Sequence, residues 1–394
     1  MQQGTYREIY LDNAATTRAS AEVSAEVARC LTESYGNPSS LHDKGIEADG
    51  IVAKSAAALA AVVGVNPDEI LFTSGGTEAN NMAIFGAIPA RRRASNRVVI
   101  SSIEHPSVYN VGVELRRRGF DVVFAPVDCD GVLDLDRFRE AVGPGAAFVS
   151  VMHVNNETGA IQPVDRVAAI LRDLPEKPLL HVDSVQSLGH IPFRPADAGA
   201  DLASFSAHKI HGPKGCGALW IRKGVRLDPI VFGGGQQRNL RSGTENVPGI
   251  AGFGAACRRI ASSPGSARES LALLRDAYLQ RLRGLHGAVV IGPRDTGTEP
   301  GASAPHILNV SFPGVKGEVL VRALGALRVY VSTGAACSSR KKGPSRVLSA
   351  MGLPRAVGEG SIRLSFGMFN TMEEVDPAVA AIEATVARLR GIRG

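Results

Sequence analysis

Seven short apolar runs recur between about residues 45 and 260 with helical patterns between them, and this alternation restricts the fold more than any other feature. The runs are EILFTSG (69–75), RVVISSIEH (97–105), DVVFAPVD (121–128), AAFVSVMHVNN (146–156), PLLHVDSVQ (178–186), DLASFSAHK (201–209) and GALWIRK (217–223). Strands that are apolar on both faces need helices on both faces, so the expectation is an α/β fold with a mostly parallel sheet sandwiched by helices. SSPGS (262–266) breaks the pattern. Beyond it Leu271, Leu274, Tyr278, Leu282 and Leu285 keep a helical period, and HILNVSF (306–312) reads as a strand. Val375, Val379, Ile382, Val386 and Leu389 then line one face of a last helix. The expected organisation is a large domain over 16–262 and a smaller C-terminal α+β domain over 263–394, with an N-terminal arm, 1–15, packed on the smaller one.

In an open parallel sheet, ligands bind beyond the carboxyl ends of the strands. The unusual polar residues of this chain collect at those ends. Ser74-Gly75-Gly76-Thr77 closes one run and opens a helix, a place where backbone N–H groups and the helix N-terminus favour a phosphate. His105 ends the next run, where an imidazole can stack on a ring, and Asn156 ends a third as a donor. Asp183 and Gln186 emerge from an otherwise apolar fourth run, and a carboxylate there is costly to bury without a cation. Lys209 ends a fifth, inside SFSAHKIHGPKG (204–215), with Ser206 and His208 beside it and a Gly/Pro-rich turn after it. A lysine amine can form a Schiff base, and a pyridinium nitrogen would supply the cation that Asp183 lacks. Taken singly, each residue has a blander reading as a surface lysine or a satisfied strand-end histidine. Their coincidence along one sheet edge points to pyridoxal 5'-phosphate.

Composition excludes several other classes. Net charge is +6, but Arg91-Arg92-Arg93 and Arg116-Arg117-Arg118 are short, lack interleaved aromatics and read as solvated helix ends, so no nucleic-acid face is expected. No run approaches the roughly 18 apolar residues of a membrane span. The segment MQQGTYREIYLDNAATT has no apolar targeting core. Five cysteines without CxxC spacing indicate neither a disulfide framework nor a permanent metal site, and a reducing compartment, the cytoplasm, is expected.

The chain resembles the cysteine desulfurases of the NifS/IscS type, pyridoxal-phosphate enzymes of fold type I. The likeness runs through YLDNAATT (10–17), GNPSSLH (36–42), TSGGTEANN (73–81), EHPSV, HVNNETG, HVDSVQS, SFSAHKIHGPKG, GGGQQRNLRSGTEN (233–246), STGAACSS (332–339) and SIRLSFG (361–367). It implies that Lys209 forms the Schiff base, Asp183 pairs with the pyridinium, and Gln186 and Asn156 face the pyridoxal oxygen. His105 would stack on the ring and help move protons, while Gly76, Thr77, Ser206 and His208 would hold the phosphate. Thr244 would reach the phosphate of a neighbouring subunit, which implies a homodimer. Arg363 would grip the substrate carboxylate with its bidentate fork.

The resemblance further implies that Cys337, as thiolate, takes sulfur from L-cysteine, leaving alanine and a persulfide for a sulfur-acceptor protein in iron–sulfur cluster, thio-cofactor or tRNA biosynthesis. Its neighbours Arg340, Lys341 and Lys342 favour the thiolate, and in scaffold complexes it would touch iron only transiently. Ala335 departs from the serine frequent in the family, and the basic loop suits acidic acceptors. Cys30, Cys129, Cys216 and Cys257 read as structural. A class-V aminotransferase would have no use for the Cys337 thiol, a selenocysteine lyase shares the machinery, and a non-enzymatic scaffold would have no need to keep both Lys209 and Cys337.

Overall fold

The computed structural model describes residues 8–91, 95–143, 145–263, 265–334 and 345–391. Its strands are β1 (Ile9–Tyr10), β2 (Ile70–Thr73), β3 (Arg97–Ser101), β4 (Asp121–Ala125), β5 (Ala146–Ser150), β6 (Leu179–Asp183), β7 (Leu202–Ser206), β8 (Gly217–Ile221), β9 (Val289–Ile291), β10 (Ile307–Ser311), β11 (Val329–Tyr330) and β12 (Ser361–Ser365).

All seven apolar runs become strands of one sheet, in the order β2-β8-β7-β6-β5-β3-β4. Neighbours from β7 to β4 pair in parallel. β8 is reversed, antiparallel to both β7 and β2. The reversal follows from the link over 207–216, which is too short for the crossover that a parallel partner needs. Alternate residues feed two core layers. Val99, Val149, Leu180, Val182 and Phe205 pack with Leu59, Phe253 and Cys257 of helices Asp43–Val63 and Val247–Ser262. Val98, Ile100, Phe148, Leu179 and Leu202 pack with Ala79, Met82, Val108 and Leu115 of helices Gly76–Arg91 and Pro106–Arg117.

β3 has β4 on one side and β5 on the other. The loops leaving β3 and β5 therefore diverge, opening a crevice of the kind that binds ligands in such sheets.

A separate antiparallel sheet, β12-β10-β9, packs Leu308, Val310, Ile362 and Leu364 against Leu274, Tyr278 and Ile382 of helices Ser266–Arg283 and Val375–Gly391. The first of these helices ends before Leu285, which packs against this core from beyond it. Ile9 and Leu11 join the same core, and β1 pairs with β11. Among the described residues, no helix is long and apolar enough to cross a membrane.

Candidate functional site

The chain leaving β2, β3, β5, β6 and β7 meets the N-terminal arm around a cavity of about 270 Å³. Gly76, Thr77, His105, Asn156, Asp183, Gln186, Ser206, His208, Lys209 and Arg363 all line it, together with Ala14, Ala15, Asn80, Glu157 and Gly334. Lys209, His105 and Asn156, like Gln186 and His208, arrive from connections rather than strand ends. β7 stops at Ser206, and Lys209 closes a single 3-10 turn, Ala207–Lys209, pinned where the Ile210 N–H donates to Ala207 O at 3.1 Å. His105 lies past the end of β3 and caps helix Pro106–Arg117, its Nδ1 accepting the Ser107 N–H at 3.2 Å. Asn156 sits in the turn beyond β5, where Asn155 Oδ1 accepts the N–H groups of Glu157 and Thr158.

Asp183 is the last residue of β6 and is buried. Its Oδ2 accepts from Asn80 Nδ2 at 2.8 Å and its Oδ1 from the Val185 N–H at 3.0 Å. Burial raises its pKa, opposed in part by those two bonds and by the charge of Lys209. Asn80 was not among the sequence candidates. It stands one turn inside helix Gly76–Arg91, three positions from Thr77 and so on the same face, and its Nδ2 also donates to Ser107 Oγ.

Lys209 Nζ donates to the carbonyl oxygens of Ala14 at 2.6 Å and Ala15 at 2.8 Å. Gln186 Nε2 donates to the same Ala14 oxygen at 2.9 Å, and Gln186 Oε1 lies 3.4 Å from His306 Nε2. His306 in turn stacks on His190 with ring centres 3.8 Å apart. Arg363, which also lines the cavity from the middle of β12, bonds Asn156 O and Asp12 Oδ1, each at 2.7 Å.

Three observations fit pyridoxal phosphate. The Asp183 carboxylate is deep and its hydrogen bonds come from neutral donors, which leaves it suited to a ring N–H⁺. Ser206 Oγ is buried and has no partner among the described residues, and it lies beside the first turn of helix Gly76–Arg91, where a phosphate would find N–H groups. At Gly76 the backbone comes close to Val185, where a Cβ would sit 2.6 Å from Cγ2, so the glycine leaves room at the phosphate end of the cavity.

Thr244 lies exposed before helix Val247–Ser262 and does not line the cavity of its own chain. Cys337, Ala335, Arg340, Lys341 and Lys342 lie outside the described residues. Gly334, three positions before Cys337, lines the cavity, and Ser345 Oγ donates to the buried Glu157 at 2.5 Å. Of the basic runs, Arg116 and Arg118 are held over the rings of Phe124 and Phe85 rather than simply solvated.

Burial keeps seven histidines deprotonated. His105, His190, His208 and His211 are lowered to about 4, His153 and His181 to about 3, and His306 well below its ordinary value. Desolvation is the largest cause in each, with Lys209 adding repulsion at His105 and His208. The unfolded chain binds these protons near pH 6.5 and the folded chain does not, so their stabilisation is complete above that pH and is lost as pH falls toward 4. Glu104, Glu157 and Asp183, raised by burial, oppose this, but they are three against seven. The urea midpoint is expected to fall steadily from pH 7 to pH 5, with net proton uptake on unfolding. A flat midpoint across that range would contradict the burial of these rings as neutral bases.

The family described as aminotransferase class V matches residues 9–377. A protein of Dictyoglomus turgidum named cysteine desulfurase IscS is 39% identical over 387 residues, which span 98% of this chain and 96% of that one. A solved structure described as a NifS-like protein superposes with a TM-score of 0.90 at 39% identity, over 97% of this chain and 100% of that one. Another, described as SspA in complex with cysteine, gives a TM-score of 0.79 at 28% identity over 92% of this chain and 100% of that one.

Proposed function

The chain belongs to the class-V aminotransferase family, and from that premise we propose that it is a pyridoxal 5'-phosphate-dependent cysteine desulfurase. The observation that carries the reading is the single cavity into which Lys209, the buried Asp183 and Arg363 all project. When bound, the cofactor supplies an electrophilic aldehyde and an electron-withdrawing ring.

The protein residues do the rest. Lys209 holds the cofactor and then carries a proton to and from the substrate α-carbon. Asp183 keeps its charge against the ring nitrogen. His105 covers the ring as a neutral base, and Asn156 and Gln186 face the pyridoxal oxygen. Gly76, Thr77, Ser206 and His208 hold the phosphate, and Arg363 orients the α-carboxylate of L-cysteine. The Cys337 thiolate attacks the substrate sulfur, so an S–S bond forms as the C–S bond breaks; the C–S electron pair passes to the carbon side and proton uptake there completes alanine, which leaves.

Two units, 16–262 and 263–394 with the arm, fit the separate cores. Thr244 on an exposed loop, with Leu31, Tyr35 and Leu41 also exposed, supports a homodimer in which Thr244 serves the neighbouring site. The persulfide then passes to an acceptor protein for iron–sulfur or other sulfur-bearing products. Free thiols at Cys30, Cys129, Cys216 and Cys257 support a reducing compartment such as the cytoplasm.

The test is stoichiometric release of alanine and sulfide from L-cysteine with a thiol reductant, by protein carrying the cofactor's visible band. Alanine without sulfide, or amino-group transfer to a keto acid instead, would defeat the desulfurase reading.

A further inference from the structure

Arg363, read above as the substrate-carboxylate arginine, already holds a carboxylate. Its Nη2 donates to Asp12 Oδ1 at 2.7 Å, and its Nη1 to the carbonyl oxygens of Asn156 at 2.7 Å and Gly334 at 3.5 Å. Its Nε is buried and has no partner among the described residues. The arginine side chain is 2% exposed and that of Asp12 23%, so the pair sits at the edge of the cavity with its acidic member nearer to water.

Strand register sets this contact. Asp12 bridges Ser365, two positions along β12 from Arg363 and therefore on the same face. The Ser365 N–H donates to Leu11 O at 2.8 Å, the Asn13 N–H to Ser365 O at 3.3 Å, and the Ala14 N–H to Ser365 Oγ at 2.8 Å. Asp12 is thus locked between residues that are themselves paired to the strand carrying the arginine.

A bidentate grip on a carboxylate uses two adjacent N–H donors of the guanidinium. With Nη1 committed to backbone carbonyls, the edge that remains is Nε with Nη2, and Asp12 already takes one of the two Nη2 N–H groups. We propose that Asp12 is a resident competitor for the substrate carboxylate and so sets the affinity of the site for its amino acid. An α-carboxylate completes its grip on Nε and Nη2 only by displacing Asp12 or sharing its donor, against the repulsion of a like charge. The inference deepens the proposed function and rests on its reading of Arg363.

Holoenzyme of the wild type and of Asp12→Asn is to be compared by alanine formation from L-cysteine and by calorimetric titration with L-alanine. For the variant, KM for L-cysteine and Kd for L-alanine are both expected to fall by about tenfold, the scale of one lost competing charge contact, with a smaller change in kcat. Asp12→Ser must reproduce the fall, and Asp12→Glu, which keeps the charge, must not. Constants that stay level or rise in both uncharged variants would overturn the proposal and leave Asp12 as a partner that merely orients Arg363. A fall in Asp12→Glu as well would overturn it in favour of loosened packing. If the wild type forms no alanine from L-cysteine, the desulfurase reading fails, while the L-alanine titration still reports on Asp12.

Discussion

Replacing Lys209 with alanine is expected to lower alanine release from L-cysteine by at least about 10³-fold and to remove the visible band of the covalently held cofactor. The size of the effect follows from the two tasks proposed for one amine, the bond to the cofactor and the proton transfer at the substrate α-carbon. No other described amine can take over, because Lys209 is the lysine that lines this cavity. The variant should fold. Ala14 O keeps its bond from Gln186 Nε2, and the arm keeps its pairing to β11 and β12, so the unfolding midpoint should stay close to the wild type. A folded Lys209→Ala protein that still showed the band would move the covalent attachment elsewhere. One that kept turnover would remove the mechanism.

The second large effect separates cofactor chemistry from sulfur chemistry. Cys337→Ala should bind the cofactor with the wild-type spectrum yet release alanine at least about 10²-fold more slowly, with no L-cysteine-derived sulfur retained on the protein. The physical ground is position and reactivity together. Gly334 belongs to the cavity wall, and the neighbours of Cys337 in sequence include three cations that favour a thiolate. The four described cysteines offer no substitute at the site. Burial pushes the thiols of Cys216 up to about 12 and of Cys257 higher still, and Cys30 is raised as well. None of the four lines the cavity. Turnover that survived the substitution would favour a lyase or aminotransferase on the same scaffold.

The central sheet could be read in the sequence because strands covered by helices are mostly apolar, and β2 to β8 are, with His181 and Ser204 as buried polar exceptions that bond to each other. Most of the cavity could be read for the complementary reason, since Asp183, Gln186 and Lys209 are polar where such runs end. The direction of β8 could not be read, because it depends on a link length that only matters once the partner strand is known. β1, β9 and β11 span two or three residues each, too few for any period, and only their partners make them strands. Asn80 was hidden because a polar residue near the start of a helix is ordinary until Asp183 is seen opposite. The carbonyl oxygens of Ala14 and Ala15 belong to the backbone and have no side-chain signature. The Asp12–Arg363 pair spans 351 positions, and no local pattern foretells such a partner.

The arm has one more consequence, for how the molecule is made. Residues 9–14 come off the ribosome long before β11 and β12, yet their partners include Tyr330 and Ser365, the latter reached by a bond from Asn13 across 352 positions. Synthesis at about 5–20 residues per second leaves the N-terminal segment waiting many seconds for those strands to appear. Through that interval the parallel sheet can form, but Lys209 lacks the carbonyls of Ala14 and Ala15, and Arg363 has yet to be translated. The binding cleft therefore cannot close before β12 has been made. A nascent chain truncated before β12 has the strands of the large sheet but lacks Arg363 and the strand on which the arm docks.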